Sequence, residues 1–475
     1  MRGQAIRAFV GTEPTLAVGA GSGSSGFVVV GLAAGNTAKL LRSGQCLAER
    51  LRSDRPNARA GEISFVRIGK SNQKRIKSLE MIGIVAGFLA AFIITWIVVI
   101  VAPQFGRLIF DHDLDGVQKM HVAPVPRVGG LAIFASFGVC IAIGELVGTG
   151  SGGGLFLLWC CALPAFGSGL VEDLTKKVSP RVRLLCTAIA TLITCFVFHA
   201  VVRRVDLHDV DLVLRVAPVA FAFTVLAVSG MANSVNIIDG FNGLASVVSI
   251  VIFASIALVS HELGDVLVQT IALTMIGATL GFVIWNFPGG AIFLGDGGAY
   301  FIGFMLGESL VLLISRHPNV SASYVMVALY PLFETVFSIY RRVIVRGRAA
   351  GAPDAVHLHT LIYRRVMLIG AGSAKEADGR RRNSLTSPYL WLLNLLAVVP
   401  ATLFWDNGPV LLCFTLFFAF VYVALYRSIV KFRTPQWLIV GRRRPSVIAV
   451  RPTFSGLPEA AVIRRQEQVA EDVVQ

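Results

Sequence analysis

Residues 233–244 read NSVNIIDGFNGL and lie between two long apolar stretches, 213–230 and 244–260. Each stretch is long enough to cross a bilayer as a helix. Four polar residues within the segment follow one another at intervals of three: Asn233, Asn236, Asp239 and Asn242. In a helix, this spacing would gather them along one face. Because polar groups beside hydrocarbon are costly unless they face protein, water or a ligand, the segment predicts a site at a membrane boundary. The simpler alternative is a set of helix caps.

The rest of the chain repeats this pattern of long apolar stretches. Of its 475 residues, 55% are apolar, and the mean hydropathy is +0.71. Helices satisfy their own backbone hydrogen bonds in lipid, so the sequence predicts an all-α, polytopic membrane bundle. We predict eleven spans, at about 82–103, 129–148, 155–171, 184–202, 213–230, 244–260, 266–285, 298–315, 322–340, 388–406 and 408–426.

The net charge of +15 is concentrated on one side of the predicted membrane, which argues against nucleic acid as a partner. If odd-numbered loops are cytoplasmic, these loops and the C-terminal tail hold 26 Lys/Arg. The even-numbered loops hold only Arg203, Arg204, Arg215 and Arg316. Cytoplasmic loops carry the excess of basic residues, so we expect the C-terminus in the cytoplasm.

Three regions differ in composition. Residues 1–80 lack a sustained apolar span and carry 13 Lys/Arg against five acids, so we expect a disordered extension or a misassigned start, with Met81 directly before the first span. Residues 81–430 form the predicted membrane domain, and 431–475 a basic cytoplasmic tail.

The seven cysteines contain no C-x-x-C pair, so neither a disulfide framework nor a zinc site is indicated.

Polar groups recur at the ends of other predicted spans, always on the cytoplasmic side: Lys119, His121, Glu172, Asp173, Asp296, His357 and His359. Taken singly, each group has a simpler explanation. Lys119 and His121 suit a surface that attracts anionic lipid, the Glu172–Asp173 pair suits a salt-bridged helix end, and two loop histidines can be incidental. The H-x-H pair lacks a further nitrogen or sulfur ligand nearby, which disfavours zinc.

Taken together, these groups indicate one site at the inner membrane face. Carboxylates can bind Mg²⁺ that shares phosphate ligands. Glycines before a helix expose backbone N–H groups to phosphate, and basic residues neutralise it. These are the components of a phosphoryl-transfer site, and a site at the bilayer edge suits one lipid substrate and one soluble substrate.

Five motifs now make the chain recognisable. In order they are PVPRVGG (124–130), GLVEDL (169–174), NSVNIIDGFNGL (233–244), IFLGDGGAYFIGF (292–304) and PDAVHLH (353–359). In this order they resemble the polyprenyl-phosphate N-acetylhexosamine-1-phosphate transferases, relatives of phospho-N-acetylmuramoyl-pentapeptide transferase. The resemblance covers about residues 82–430 and is closer to the glycan-initiating branch.

The resemblance implies a reaction and its partners. Undecaprenyl phosphate, or another polyprenyl phosphate, would attack the β-phosphorus of a UDP-N-acetylhexosamine and release UMP, which starts a lipid-linked cell-envelope glycan. It also implies a multi-pass protein of the bacterial cytoplasmic (inner) membrane, with Mg²⁺ as cofactor and Mn²⁺ as the alternative ion. The lipid bilayer, and a second copy in a homodimer, are the remaining expected partners.

The resemblance also assigns functions to residues. Asp296 would bind the metal, with Asp173 as a second candidate ligand. The catalytic residues would be Glu172, Asp173 and Asp239, of which the first two orient or deprotonate the lipid phosphate. Substrate would contact Lys119, His121, Asn236, Gly240, Asn242, Asn286, Phe293, His357 and His359.

The chain departs from the family pattern at several positions. Glu172 stands where an aspartate is usual, and Asn242 where a second acid is frequent. Ala355 and Thr360 replace a common arginine and a third histidine or glutamine, so sugar recognition can differ there. Two rival hypotheses are a secondary transporter, which also carries intramembrane acids, and a catalytically inactive lipid-binding homologue. The one-sided placement of the polar groups disfavours a transporter.

Overall fold

Capping residues fix where several helices begin. The Ser179 side chain accepts a hydrogen bond from the Val182 N–H, and Pro180 follows it as the first helical residue. Asp265 accepts in the same way from the Val268 N–H, at 3.1 Å. Such caps satisfy N–H groups that have no partner within the helix, so α5 and α9 each start at a defined residue.

The computed structural model describes residues 83–108, 110–111, 125–148, 152–347, 349, 356–367 and 376–431. The helices of this part are α1 (Gly83–Gln104), α2 (Gly129–Leu146), α3 (Gly152–Cys161), α4 (Leu163–Thr175), α5 (Pro180–Phe198), α6 (His208–Leu214), α7 (Ala217–Ile238), α8 (Leu244–Leu263), α9 (Val266–Asn286), α10 (Gly295–Arg316), α11 (Leu329–Tyr340), α12 (Leu358–Leu361), α13 (Glu376–Leu403) and α14 (Gly408–Val430). A 3₁₀ turn, Ala322–Ala328, precedes α11, and π-helical turns, Arg341–Val345 and Ile362–Met367, follow α11 and α12.

The predicted all-α membrane architecture is confirmed. Among the described residues, ten helices are long and apolar enough to cross a membrane, and the bent pair α3–α4 provides an eleventh span. A short antiparallel pair of strands, β1 (Phe110–Asp111) and β2 (Val125–Pro126), is the one exception to the helical class within the described ranges. The predicted segment 1–80 and all but the first residue of the predicted tail 431–475, together with Lys119 and His121, lie outside the part that can be described.

The structure adds detail to two of the predicted stretches. The stretch 155–171 is not one straight helix, because α3 and α4 meet at an angle of 47°; Pro164 lies in the first turn of α4, where its ring cannot continue an incoming helix. The segment 233–244 is not helical throughout. Helix α7 ends at Ile238, so Asn242 lies beyond the helix and does not share one helical face with Asn233.

Helix α10 is the centre of the bundle. Every residue from Gly295 to Leu313 is buried, and the helix contacts α2, α4, α5, α7, α8 and α9. Its N-terminus carries Asp296, so the neighbouring helix ends are brought around that carboxylate.

Candidate active site

The first part of the site is a backbone junction between two sequence motifs. The Phe293 N–H donates to the Pro126 carbonyl at 2.8 Å. In return, the first two N–H groups of α2 donate to the same loop, Gly129 to the Phe293 carbonyl at 3.0 Å and Gly130 to the Leu294 carbonyl at 2.8 Å. The PVPRVGG and IFLGDGG segments therefore form one hydrogen-bonded unit directly before the N-terminus of α10.

Asp173 joins α4 to the same helix end. Its two carboxylate oxygens accept the N–H groups of Asp296 and Gly297, both at 2.8 Å. The side chain is 1% exposed. A carboxylate suits this place because it satisfies unpaired N–H groups and interacts favourably with the helix dipole. In this structure Asp173 is thus a capping residue beneath the cavity; its predicted catalytic function stays a prediction.

Two glycines permit this close approach of three helices. A Cβ atom at Gly130 would lie 2.1 Å from the Gly298 nitrogen. A Cβ atom at Gly169 would lie 2.6 Å from the Asp296 carbonyl carbon. Because the obstructing atoms are backbone, only glycine fits at either position without displacing the first turn of α10.

A cavity of about 350 Å³ opens beside this turn. Nine residues predicted from the sequence line it: Asn236, Asp239, Gly240, Asn242, Asn286, Phe293, Asp296, His357 and His359. The remaining lining residues were not predicted as site residues: Arg127, Arg183, Ile237, Phe241, Gly295, Thr360 and Asn383. The structure therefore brings four of the five motifs to one cavity, whose lining is both acidic and basic.

Glu172, like Asp173, is absent from this lining. Its Oε2 accepts the Val178 N–H at 2.6 Å, which holds the side chain against the α4–α5 connection. This contact corresponds to the simpler explanation, a helix-end interaction. The catalytic function predicted for Glu172 stays a prediction.

Two arginines neutralise the acidic side of the cavity. Arg183 Nη1 lies 2.6 Å from Asp296 Oδ2, and both side chains are largely buried. Arg127 Nη2 lies 3.9 Å from the same oxygen and 4.0 Å from Asp173 Oδ1. The planar guanidinium group can donate two parallel hydrogen bonds to either a phosphate or a carboxylate. An anionic ligand in this cavity would therefore meet two suitable cations beside Asp296.

Asp239 is the second cavity carboxyl group and lies directly after α7. Burial raises the pKa of Asp239 from 3.8 to about 7, although the positive charge of Arg127 lowers it. The negative charge of Asp296 adds to the upward shift. Near neutral pH this carboxyl group would thus be only partly ionised, and a bound cation would favour its ionised form.

A metal ion bound here would need ligands from a substrate. Among the described residues, no group of three or more His, Cys, Asp or Glu side chains could hold a metal ion by itself. Two carboxyl groups, Asp239 and Asp296, do line one cavity. Magnesium is commonly bound through one or two carboxylates together with water and substrate phosphates. The donor set therefore fits Mg²⁺ shared with a phosphate and does not fit a dedicated all-protein site.

Asparagine side chains form another part of the cavity lining, which we call the asparagine wall. Asn286 Oδ1 accepts the Gly243 N–H at 2.6 Å, and its Nδ2 donates to the Ile292 carbonyl at 2.8 Å. Asn242 Nδ2 donates to the Pro288 carbonyl at 3.1 Å. These bonds connect the loop after α7 with the loop after α9, so the two asparagines hold the wall in place as well as facing the cavity.

Helix α13 supports this wall, and sequence reasoning missed it. Asn383 Oδ1 accepts the Asn242 N–H at 2.9 Å, and Ser387 Oγ donates to the Asn242 carbonyl at 2.6 Å. Ser384 Oγ donates to the Pro288 carbonyl at 2.5 Å. The signal was present in the sequence, since Asn383, Ser384 and Ser387 precede the apolar stretch of this helix at spacings that place them on one helical face.

The two histidines form a stacked pair. Their ring centroids lie 5.1 Å apart, with an angle of 5° between the planes. His357 is extended and precedes α12, whereas His359 lies within it. Phe241 packs edge-on against His359 at 5.5 Å. Both rings are thereby fixed against the loop that carries Asp239.

Comparisons with known proteins identify the family of this chain. Residues 155–314 match the sequence profile of glycosyl transferase family 4. The chain is 28% identical to a probable undecaprenyl-phosphate N-acetylglucosaminyl 1-phosphate transferase of Bacillus subtilis, over 59% of this chain and 77% of the relative. It is 26% identical to a decaprenyl-phosphate N-acetylglucosaminephosphotransferase of Mycolicibacterium smegmatis, over 70% and 84%.

A third relative, the phospho-N-acetylmuramoyl-pentapeptide-transferase of Staphylococcus carnosus, is 30% identical over 50% of this chain and 79% of its own length. The matched family region contains Asp173, Asp239 and Asp296, with the helices that position them. This multi-pass membrane protein therefore belongs to glycosyl transferase family 4.

Proposed function

We propose that this protein transfers N-acetylhexosamine 1-phosphate from a UDP-sugar to a polyprenyl phosphate such as undecaprenyl phosphate. The observation that carries the proposal is the cavity in which Asp239 and Asp296 face Arg127 and Arg183 at the ends of apolar helices. Such a place can receive a phosphate on a lipid from the bilayer and a nucleotide from water. The names of the relatives support this reaction class.

The proposed reaction is a displacement at phosphorus. An oxygen of the polyprenyl phosphate forms a bond to the β-phosphorus, and the bond from that phosphorus to the UMP oxygen breaks. UMP leaves with the bonding electron pair, and the product is a lipid diphosphate sugar. A phosphate monoester is largely dianionic at neutral pH, so little proton removal is needed and no strong base has to be present.

The residues contribute mainly by positioning and charge. Arg127 and Arg183 would bind the phosphate oxygens and neutralise charge as it gathers on UMP. Asp296 and Asp239 would hold Mg²⁺, which when bound supplies positive charge to the transferred phosphoryl group. Asn242 and Asn286 line the wall suited to the nucleobase, and the histidines line the side suited to diphosphate or sugar.

The reaction can be tested with purified protein and undecaprenyl phosphate. A panel of UDP-N-acetylhexosamines is supplied with Mg²⁺, UMP release is measured, and the lipid product is identified by mass spectrometry. We expect UMP and a lipid diphosphate sugar in equal amounts for at least one donor. Lipid binding without UMP for every donor would favour an inactive homologue, and sugar uptake into vesicles without UMP would favour a transporter.

The product would initiate a lipid-linked cell-envelope glycan, such as O-antigen or exopolysaccharide, at the inner membrane. The basic loops support a cytoplasmic site.

We predict that reporter fusions after residues 205, 263 and 318 report an external location, and that fusions after 176 and 375 report a cytoplasmic one, because basic loops stay inside. Alkaline phosphatase and fluorescent-protein fusions measure the two locations, and the opposite pattern would contradict both the orientation and the cytoplasmic site.

A second prediction concerns the wall of the nucleotide side. Asn383→Ala removes the acceptor of the Asn242 N–H and leaves a buried donor unpaired, which costs about 1–3 kcal/mol. We expect the KM for the UDP-sugar to rise roughly tenfold, with kcat nearly unchanged. Asn407→Ala is the matched control, since Asn407 also accepts one backbone N–H, from Val410, but at the start of α14. An equal rise in KM in both variants would contradict the assignment.

A further inference from the structure

A buried glutamate lies behind the histidine pair. Glu334 of α11 is 1% exposed, and its carboxylate meets three donors. His357 Nδ1 lies 2.9 Å from Oε1, and the Leu358 N–H donates to the same oxygen at 3.1 Å. The Tyr422 hydroxyl of α14 donates to Oε2 at 2.6 Å. Both carboxylate oxygens are therefore used within the protein.

This arrangement determines how the imidazole of His357 is held. An ionised carboxylate accepts hydrogen bonds and cannot donate them, so the hydrogen between Glu334 and His357 belongs to Nδ1. The ring lines the cavity, and with Nδ1 committed to Glu334 the nitrogen assigned to a ligand is Nε2. A partner on one ring nitrogen fixes both the tautomer and the orientation of a functional histidine.

The backbone before His357 is fixed from the same two helices. Arg341, directly after α11, donates through Nη1 to the Val356 carbonyl at 2.6 Å and to the Tyr426 hydroxyl at 2.5 Å. Tyr426 in turn donates to the Val356 carbonyl at 3.3 Å. Thus the chain entering His357 and the ring of His357 are held by separate sets of bonds, which leaves the imidazole little freedom.

Packing alone does not account for an acid at position 334. A charged side chain inside a membrane helix is costly, and an apolar residue of similar size could fill the same space. This free-energy cost is explained if the carboxylate of Glu334 acts on a residue of the candidate active site. Glu334, His357 and Tyr422 all lie outside the matched family region, residues 155–314.

We propose that Glu334 is a positioning residue that accepts the Nδ1–H of His357, so that with substrate bound the Nε2–H of the imidazolium donates to the anionic diphosphate. The proposal rests on the function proposed above, because it assigns the ligand of that same cavity. Tyr422 completes the arrangement by holding the second oxygen of Glu334.

The test compares Glu334→Gln with Glu308→Gln. Glu308 is the matched control because it is also fully buried in a membrane helix, α10, and lines no part of the cavity described here. We expect kcat/KM of Glu334→Gln to fall roughly tenfold to a hundredfold, the usual effect of removing the partner of a functional histidine, and that of Glu308→Gln to stay within about twofold of the unmodified protein. Thermal unfolding of both variants is measured alongside.

A double variant separates positioning from general stability. If Glu334 acts through His357, then Glu334→Gln should cause no additional loss when His357→Ala is already present. Losses that multiply in the double variant, or an equal loss in Glu308→Gln, would overturn the proposal. Because the comparison is a ratio within one assay, it is independent of which sugar the protein prefers.

A readout without turnover distinguishes the two proposals. In protein labelled with ¹⁵N-histidine, the His357 signals are identified by their loss in His357→Ala. We expect the ring hydrogen on Nδ1 in the unmodified protein and a loss of that preference in Glu334→Gln. This result with no UMP released from any donor would reject the proposed function alone, whereas a hydrogen confined to Nε2 in the unmodified protein would reject the positioning proposal alone.

Discussion

Replacing Asp296 with asparagine is expected to lower turnover about a thousandfold or more, equivalent to roughly 4 kcal/mol of transition-state stabilisation. Asparagine keeps the shape of the side chain but removes the charge that would hold Mg²⁺ beside the phosphates. Asp209→Asn is the control, because this exposed aspartate at the start of α6 undergoes the same chemical change away from the cavity. The measurement is UMP release with and without excess chelator.

Loss of folding must be distinguished from loss of chemistry in this variant. Asp296 is paired with the buried Arg183 at 2.6 Å, and an uncompensated buried charge costs about 3–5 kcal/mol. We therefore expect Asp296→Asn to unfold at a lower temperature, and the added substitution Arg183→Gln to restore part of that stability without restoring activity. Near-normal turnover of Asp296→Asn, or full activity of the unmodified protein in chelator, would exclude this metal assignment.

Gly169→Ala is expected to have the second large effect, on the fold and the site together. The new methyl group would lie 2.6 Å from backbone atoms of Asp296 and Gly297, and these atoms cannot rotate away. Overpacking of this kind costs about 1–3 kcal/mol or more. It would also separate Asp173 from the N–H groups that it caps, so both thermal stability and UMP release should fall.

Gly167→Ala provides the matched control. It lies on the same helix, and a Cβ atom there meets no other atom within 4 Å. Alanine is also the better helix former, so this variant should be as stable as the unmodified protein or slightly more stable. Equal unfolding temperatures for the two alanine variants would show that α4 and α10 do not approach each other as described.

Much of this fold could be predicted from the sequence, because hydrocarbon imposes strict requirements on a chain. Eleven apolar stretches predicted the spans, and the cost of acids at membrane edges singled out Asp239 and Asp296. The bend between α3 and α4 was missed, since a hydropathy pattern measures length and not direction. The end of α7 was missed because a spacing of three residues is equally compatible with a helix and with the turn that follows it.

The missed site residues have a common physical reason. Arg183 was one of several basic residues after the third span, and charge alone does not indicate which one faces inward. The threonines that follow it at helical spacing, Thr187, Thr191 and Thr194, were the available signal, because they mark a polar stripe along α5. Glu334 could have been found as a lone acid in an apolar stretch, but its connection to His357 depends on how α11 and α14 pack.

The burial of α10 from Gly295 to Leu313 also bears on how this protein can evolve. A helix at the rim of a bundle has one side on which apolar residues can replace one another freely, because lipid adapts to any shape. Helix α10 has no such side, and an enlargement at almost any position displaces a neighbouring helix and, through it, the turn that carries Asp296. We therefore expect single substitutions to be tolerated more readily on the outer helices, whereas a larger residue in α10 should need compensating changes on the helices around it.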